Sequence, residues 1–328
     1  MAVCGAWTEC KSQIKLSAPS LAHLIVSTYD PVALECLAAI VEEGGFERAA
    51  QRLNITQSAV SQRLRSLEAQ VGTVLVVRSR PVRPTSAGHL LLKHTRQLRL
   101  LRADLDRDLR ELAPGRGGAR EEERVSIAVN ADSIATWALP ALDGAVHQGV
   151  PLEIITDDQD FTHEWLREGR VLGCVTTVQQ ALRGCKVLPL GAMRYIAVAA
   201  PAYAREHCPQ GLTAHNFRAL RFVAFNRKDD LQAEFVGRAV RLKQVALDQL
   251  FVPSSEGQVR AVLAGWGVSV VPELLVRGLL EQGQLVDVLP AASVPVQLYW
   301  HCWNLESAVL DQLTAALTEA ARGALGAA

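Results

Sequence analysis

The chain has 328 residues, too many for one ordinary domain of about 100–200 residues, so two or three compact units are expected. A composition of 49% hydrophobic and 21% charged residues excludes disordered, collagen-like and low-complexity classes. Basic and acidic side chains balance at 34 each, which at first sight excludes a nucleic-acid partner.

The balance conceals a gradient. Between Gly44 and Arg102 eleven basic side chains meet only two acidic ones, Glu47 and Glu68, a surplus of nine that the rest of the chain offsets. One basic segment in a neutral chain is the footprint of phosphate binding, a solvated helix face being the alternative. No apolar run approaches the ~18–20 residues of a membrane span. The first 28 residues also lack the apolar stretch and small-residue cleavage site of a secretory signal. A cytoplasmic protein with no membrane partner is expected. Seven cysteines (Cys4, Cys10, Cys36, Cys174, Cys185, Cys208, Cys302) form no C-x-x-C pair and no zinc-spaced cluster with histidine. They read as free, buried thiols in a reducing compartment, with no metal and no cofactor. Cys174 and Cys185 suggest a thiol-based redox sensor, which stands as a minor alternative.

Residues 1–28 carry no sustained periodicity and read as a poorly ordered extension. Asp30-Pro31 is an N-cap followed by proline at the first helical position. The helix it opens has an apolar face of Leu34, Leu37 and Val41 and ends at Gly44-Gly45. A short helix from Phe46 carries Ala49, Ala50 and Leu53, and Asn54-Ile55 makes a turn. Thr56 then caps a third helix with Val60, Leu64, Leu67 and Val71 on one face. This is the helix-turn-helix outline. The opposite face offers Gln57, Ser58, Ser61, Gln62 and Arg65 to base edges or phosphates in a major groove. Arg48, Thr56, Arg63 and Thr85 complete the expected DNA-binding set. Residues 74–78 read as a strand, and Pro81, Arg83 and Pro84 turn it into a wing whose Arg83 enters a minor groove; an ordinary loop is the alternative. The DNA-binding domain is assigned to residues 29–85.

Residues 86–112 return to a helical pattern, about 40 Å long at ~1.5 Å per residue. Leu91, Leu98, Leu105 and Leu112 lie seven apart with Leu101 between, a heptad seam that favours a homodimer, although His94 and Asp108 interrupt it. A lone amphipathic helix is the alternative. Ala113-Pro114-Gly115-Arg116-Gly117-Gly118 opens a flexible linker over 113–123. Residues 124–328 then alternate strands and helices. Strands are expected at 125–129, 152–156, 171–175, 195–199, 221–225, 267–271 and 296–303, and helices include 133–146 and 255–264. The pattern implies an α/β region with parallel strands and ligands at their carboxyl ends.

The first segment resembles the LysR-type transcriptional regulators. The residues that carry the resemblance are Phe46-Glu47-Arg48-Ala49-Ala50-Gln51-Arg52-Leu53, Thr56-Gln57-Ser58-Ala59-Val60-Ser61-Gln62-Arg63-Leu64, Leu67-Glu68, Gly72, Arg78, Pro84-Thr85 and Gly88. Further on, Ala128-Val129-Asn130-Ala131-Asp132-Ser133-Ile134-Ala135-Thr136-Trp137 and Leu298-Tyr299-Trp300-His301 are similar to the ArgP/LysG branch, the inhibitor-of-chromosome-initiation type. Val76, where many members of the wider family have phenylalanine, also fits that branch. The resemblance runs from Tyr29 to the C-terminal helix. It implies a winged helix-turn-helix, a dimerising linker helix and a two-lobed α/β effector domain like a periplasmic binding protein. It also implies sequence-specific control of amino-acid export or metabolism genes, with lysine or arginine as the small-molecule effector. Double-stranded DNA, a homodimer or homotetramer and RNA polymerase are the partners considered.

A basic amino acid needs hydroxyl or backbone donors for its carboxylate and acids for its cationic groups. Ser133, Thr136, Thr176, Thr177, Ser254 and Ser255 are candidates for the first role. Asp132, Asp157, Asp158 and Glu256 are candidates for the second. Helix capping is the competing reading of each. Two other function classes were weighed. An α/β enzyme finds no G-x-S-x-G elbow, P-loop or G-x-G-x-x-G, and eight scattered histidines form no nucleophile–base pair. An architectural DNA protein without an effector would not need so large a second region.

Overall fold

The computed structural model describes residues 29–112, 124–156, 162–290 and 292–326. The expected extension (1–28) and linker (113–123) lie outside the described residues. The chain divides into two compact units, the first ending at Gly88 and the second beginning at His89.

The first unit contains α1 (Pro31–Glu42), α2 (Phe46–Arg52), α3 (Gln57–Val71), β1 (Val76–Val77) and β2 (Arg83–Pro84). The Asp30 side chain caps α1 by accepting from the Val32 amide at 3.0 Å. The Thr56 hydroxyl caps α3 from the Ala59 amide at 3.2 Å. Gly72, at φ 78°, supplies the left-handed residue that ends α3. Leu34, Leu37 and Ile40 of α1, Ala49 and Ala50 of α2, and Val60, Leu64 and Leu67 of α3 are buried. Two alanines on α2 leave no bulk to hold the helices apart. β1 and β2 pair antiparallel, Val76 opposite Pro84 and Val77 opposite Arg83, so the wing exists. Gly88 sits where an added Cβ would lie 2.1 Å from the Leu75 carbonyl oxygen; only glycine fits there.

α4 (Ser86–Leu112) is the long helix and runs across the boundary between the units.

The second unit is built on β3 (Val125–Ala128), β4 (Leu152–Ile155), β5 (Gly173–Thr176), β6 (Cys185–Ala199), β7 (Arg221–Ala224), β8 (Asp248–Phe251), β9 (Ser269–Pro272), β10 (Val286–Asp287) and β11 (Val294–Trp303). Its main sheet runs β10-β6-β11-β5-β3-β4, with β9 also on β6, and β7-β8 form a second, small sheet. The expectation of parallel strands is corrected here. β3–β4, β3–β5 and β7–β8 are parallel, whereas β11 lies antiparallel to both β5 and β6, and β9 and β10 are antiparallel to β6. The reason is β6. Its 15 residues run antiparallel to β11 from Cys185 to Tyr195 and then continue against β9. Pro189 and Gly191 interrupt its apolar pattern, so only residues 195–199 read as strand from sequence.

The register of β6 against β11 shifts between Leu298 and Tyr299, opposite the extra residue Leu190. On one side of this bulge β3, β4 and β5 complete a first lobe; on the other, β7 to β10 form a second. The lobes therefore share two continuous strands. Around the sheets lie α5 (Ala131–Ser133), α6 (Leu139–His147), α7 (Thr162–Arg167), α8 (Pro201–His207), α9 (Leu231–Val240), α10 (Ser255–Leu263), α11 (Glu273–Glu281) and α12 (Ala308–Ala324). Trp300, Trp303, Tyr195, Phe217, Phe222 and Phe235 are the largest fully buried side chains, each removing roughly 150–250 Å² from water. No helix among the described residues is long and apolar enough to cross a membrane.

Candidate functional site

Two surfaces carry chemistry, one in each unit. On α3, the buried Val60, Leu64 and Leu67 fix which face turns outward. Gln57, Ser58, Gln62 and Arg65 are exposed on it and Ser61 is half-buried. The Arg65 Nε donates to the Ser61 carbonyl at 3.3 Å, which aligns the guanidinium along the helix. Arg83 is exposed on β2, as are Arg48 on α2 and Arg80 in the wing. Uncharged amide and hydroxyl groups flanked by arginines suit base edges between phosphates.

Two expected members serve the fold instead. The Thr56 hydroxyl is spent on the cap of α3 and lies 2.9 Å from Ser58 Oγ. The Thr85 hydroxyl donates to the Val74 carbonyl (2.8 Å) and accepts from the Gly88 amide (3.1 Å), tying the wing to the start of α4. Arg63 is half-buried, and its guanidinium lies near enough to Cys36 of α1 to act on the thiol. Arg52 is neutralised by Glu42 at 2.7 Å and Glu43 at 3.4 Å.

On α4 the seam is partly redrawn. Leu91 is buried inside the protomer and Leu98 is half-buried, so neither is the exposed seam residue expected. Leu101, Leu105 and Leu112 are exposed, and Leu109, which a strict seven-residue count skips, joins them. Their 4,4,3 spacing makes one apolar stripe.

In the second unit the carboxylate of Asp132 is the centre of the site. It lies in the first turn of the helix that follows β3, whose N-cap is Asn130. Its Oδ2 accepts from the Tyr195 hydroxyl at 2.6 Å and its Oδ1 from the Ser255 hydroxyl at 2.6 Å. Tyr195 stands on the shared strand β6 and Ser255 opens α10 of the second lobe, so these bonds link the Asp132 turn of the first lobe to the second. Ser133 Oγ and Asn130 Oδ1 beside it are buried without a hydrogen-bond partner. Thr176, fully buried at the end of β5, stands beside this turn because β5 pairs with β3; its hydroxyl accepts from the Val178 amide at 3.3 Å. Thr177 is half-buried on the same loop.

Sequence reasoning missed two members. Tyr195 is one, since nothing in a strand pattern says which buried face meets Asp132. Asp229 is the other, and it follows β7 just as Asp132 follows β3. Its carboxylate accepts from the Phe225 and Leu231 amides at 3.1 and 3.0 Å. Burial pushes its pKa above the ordinary carboxylate value, and the negative charge of Asp132 acts in the same direction. The two acids thus hold corresponding places after β3 and β7, near enough for their charges to act on each other. The strand-end rule that selected Asp132 would have selected Asp229.

Ser254 caps α10 by accepting from the Gly257 amide at 3.1 Å, and Glu256 is exposed, so both leave the cleft set. The Thr136 hydroxyl donates to the Asp132 carbonyl at 2.6 Å and acts from behind the site. Asp157 and Asp158 lie outside the described residues. A separate open cavity of about 610 Å³ lies on the second lobe between Tyr203, His207, Arg221, Asp248 and Trp266. It sits at the amino ends of β7 and β8, whereas Asp229 and Ser255 follow their carboxyl ends, and its two charges are paired at 3.3 Å. Cys174 and Cys185 do come together, with Cys302, but burial raises the pKa of all three. They stay protonated at neutral pH, the opposite of a reactive thiol. Among the described residues no group of His, Cys, Asp and Glu could hold a metal ion.

Residues 32–89 match the family described as bacterial regulatory helix-turn-helix protein, lysR family, and residues 118–323 match the LysR substrate binding domain. The chain belongs to the LysR family of transcriptional regulators. It is 42% identical over 291 residues to the HTH-type transcriptional regulator ArgP of Pseudomonas aeruginosa, covering 87% of this chain and 94% of that one. The crystal structure of ArgP from Mycobacterium tuberculosis is similar at a TM-score of 0.80 and 40% identity, over 92% of this chain and all (100%) of the other. Full-length LysG from Corynebacterium glutamicum with bound effector Arg matches at 0.72 and 35% identity, over 90% and 99%. These likenesses put the LysR-family chain in the ArgP/LysG branch. It is a DNA-binding transcriptional regulator, and its relatives are regulators rather than enzymes.

Proposed function

We propose that this regulator binds lysine or arginine in the cleft around Asp132 and thereby controls genes of amino-acid export or metabolism. The observation that carries the reading is the Asp132 carboxylate, bonded at 2.6 Å to hydroxyls on β6 and α10 beside the buried, unpartnered Ser133 hydroxyl, with Asp229 at the corresponding strand end after β7. A basic amino acid is the common small molecule with two cationic groups and one carboxylate. The acids take the cations; Ser133, Thr176 and the start of the helix after β3 receive the carboxylate. The bound Arg of the Corynebacterium glutamicum relative supports the assignment. DNA is read by Gln57, Ser58, Ser61, Gln62 and Arg65, with Arg83 in the minor groove. The stripe Leu101, Leu105, Leu109 and Leu112 pairs two protomers, further pairing gives the tetramer, and RNA polymerase is the partner at the promoter.

Titration calorimetry on the full chain tests the effector. Arginine or lysine should give saturable heat and leucine none. Footprinting on the DNA flanking its own gene should shift on adding the same amino acid. Heat from leucine alone, or from neither basic amino acid, would remove the effector assignment.

A further inference from the structure

The helix that carries Asp132 is not a plain α-helix. Between α5 and α6 the chain makes one π-helical turn, Ile134–Ala138, and the three pieces form a continuous helical stretch from Ala131 to His147. π turns are rare and need a cause. Here the cause is two residues downstream. Pro140 has no amide hydrogen to give to the Thr136 carbonyl, and in an α-helix its ring would strike that oxygen. One extra residue in the turn moves the carbonyl aside. Pro140 itself is exposed, so its effect is on the backbone rather than on a buried core.

The consequence falls on the cleft. Each residue of an α-helix turns the chain by about 100°, so the extra residue sets the direction in which every side chain before it points. Asp132 and Ser133 stand just before the turn. In the present register the carboxylate of Asp132 reaches Tyr195 and Ser255, both at 2.6 Å. Thr136, inside the turn, braces the arrangement by donating its hydroxyl to the Asp132 carbonyl at 2.6 Å.

We infer that Pro140 and Thr136 are positioning residues for the effector, and that the π turn they hold is what aims Asp132 and Ser133 into the cleft. The inference rests on the proposed basic amino-acid site. Without Pro140 the stretch rewinds as α-helix, and the Asp132 carboxylate swings out of line with Tyr195 and Ser255.

Pro140→Ala tests it in the full chain. The expected result is arginine affinity reduced at least about tenfold in calorimetry, with binding to operator DNA without effector unchanged. Thr136→Val, which keeps the proline, should weaken arginine several-fold. A second readout needs no ligand. Trp137 is buried within the π turn, so its indole N–H resonance, identified by its loss in Trp137→Phe, should move in Pro140→Ala. Unchanged arginine affinity or an unmoved Trp137 resonance would each overturn the inference. If the wild-type chain binds no basic amino acid, the functional reading fails first and this inference fails with it. A moved Trp137 resonance would then still report the rewound turn.

Discussion

At the residue scale, the Asp132 carboxylate is held by two hydroxyls, and Asp229, at the corresponding strand end, has a raised pKa. A buried carboxylate deprived of its cation is costly, whereas one that meets an ammonium or guanidinium gains a charge-assisted bond. Asp132→Asn should therefore weaken arginine binding at least tenfold, measured by calorimetry, while leaving effector-free DNA binding intact. The pH dependence follows from Asp229. A carboxyl with a raised folded pKa contributes stability that is full below its unfolded value, about 3.9, and is lost as pH rises through the folded value. A bound cation reverses the sign by favouring the ionised form. Melting temperature without ligand should fall across that window, arginine should cancel the fall, and Asp229→Asn should abolish both effects. At the DNA face, Gln57→Ala should cost operator binding ~1–3 kcal/mol and random DNA much less. Equal losses in a competition assay would give Gln57 a positioning role instead.

At the element scale, α4 is decided by which leucines its own protomer covers. Leu105 is 55% exposed on the stripe, whereas Leu91 is 8% exposed. In the proposed pairing of two protomers Leu105→Asp puts a charge where water is excluded, and sedimentation should then report monomers. The same substitution at Leu91 should lower stability instead. The first unit was legible from sequence because its signals are local: caps at Asp30 and Thr56, glycine at position 72, and apolar residues three and four apart. The second unit was legible in its elements but not in its sheet. β6 carries Pro189 and Gly191 in mid-strand, and its partner β11 returns about a hundred residues later, a pairing no local pattern encodes. The cleft suffered from the same separation. Tyr195 lies 63 residues from Asp132 and Ser255 lies 123, so their meeting depends on the finished topology. What sequence did supply was the rule that strand ends hold ligands, and that rule pointed to Asp132 and Ser255, which the fold brings within 2.6 Å of each other. It also favoured Ser254, whose hydroxyl a helix cap consumes.

At the scale of the whole molecule, a neutral chain concentrates a surplus of nine positive charges between Gly44 and Arg102. Binding that releases counterions from phosphates weakens as salt rises, with a log–log slope near −0.9 for each phosphate neutralised. Arg83→Ala should reduce that slope by about one per protomer, read from operator affinities over a salt series. An unchanged slope would take Arg83 off the DNA backbone and groove.

The two lobes of the second unit are joined through β6 and β11 themselves, hydrogen-bonded from Val294–Tyr195 to Trp303–Cys185. Lobes joined by loops can swing like a door. Lobes cut from the same strands move only by deforming the ladder itself, and the ladder is interrupted at the Leu190 bulge. A ligand held between such lobes would load the pair of strands as a flexure, bending or twisting them at the bulge.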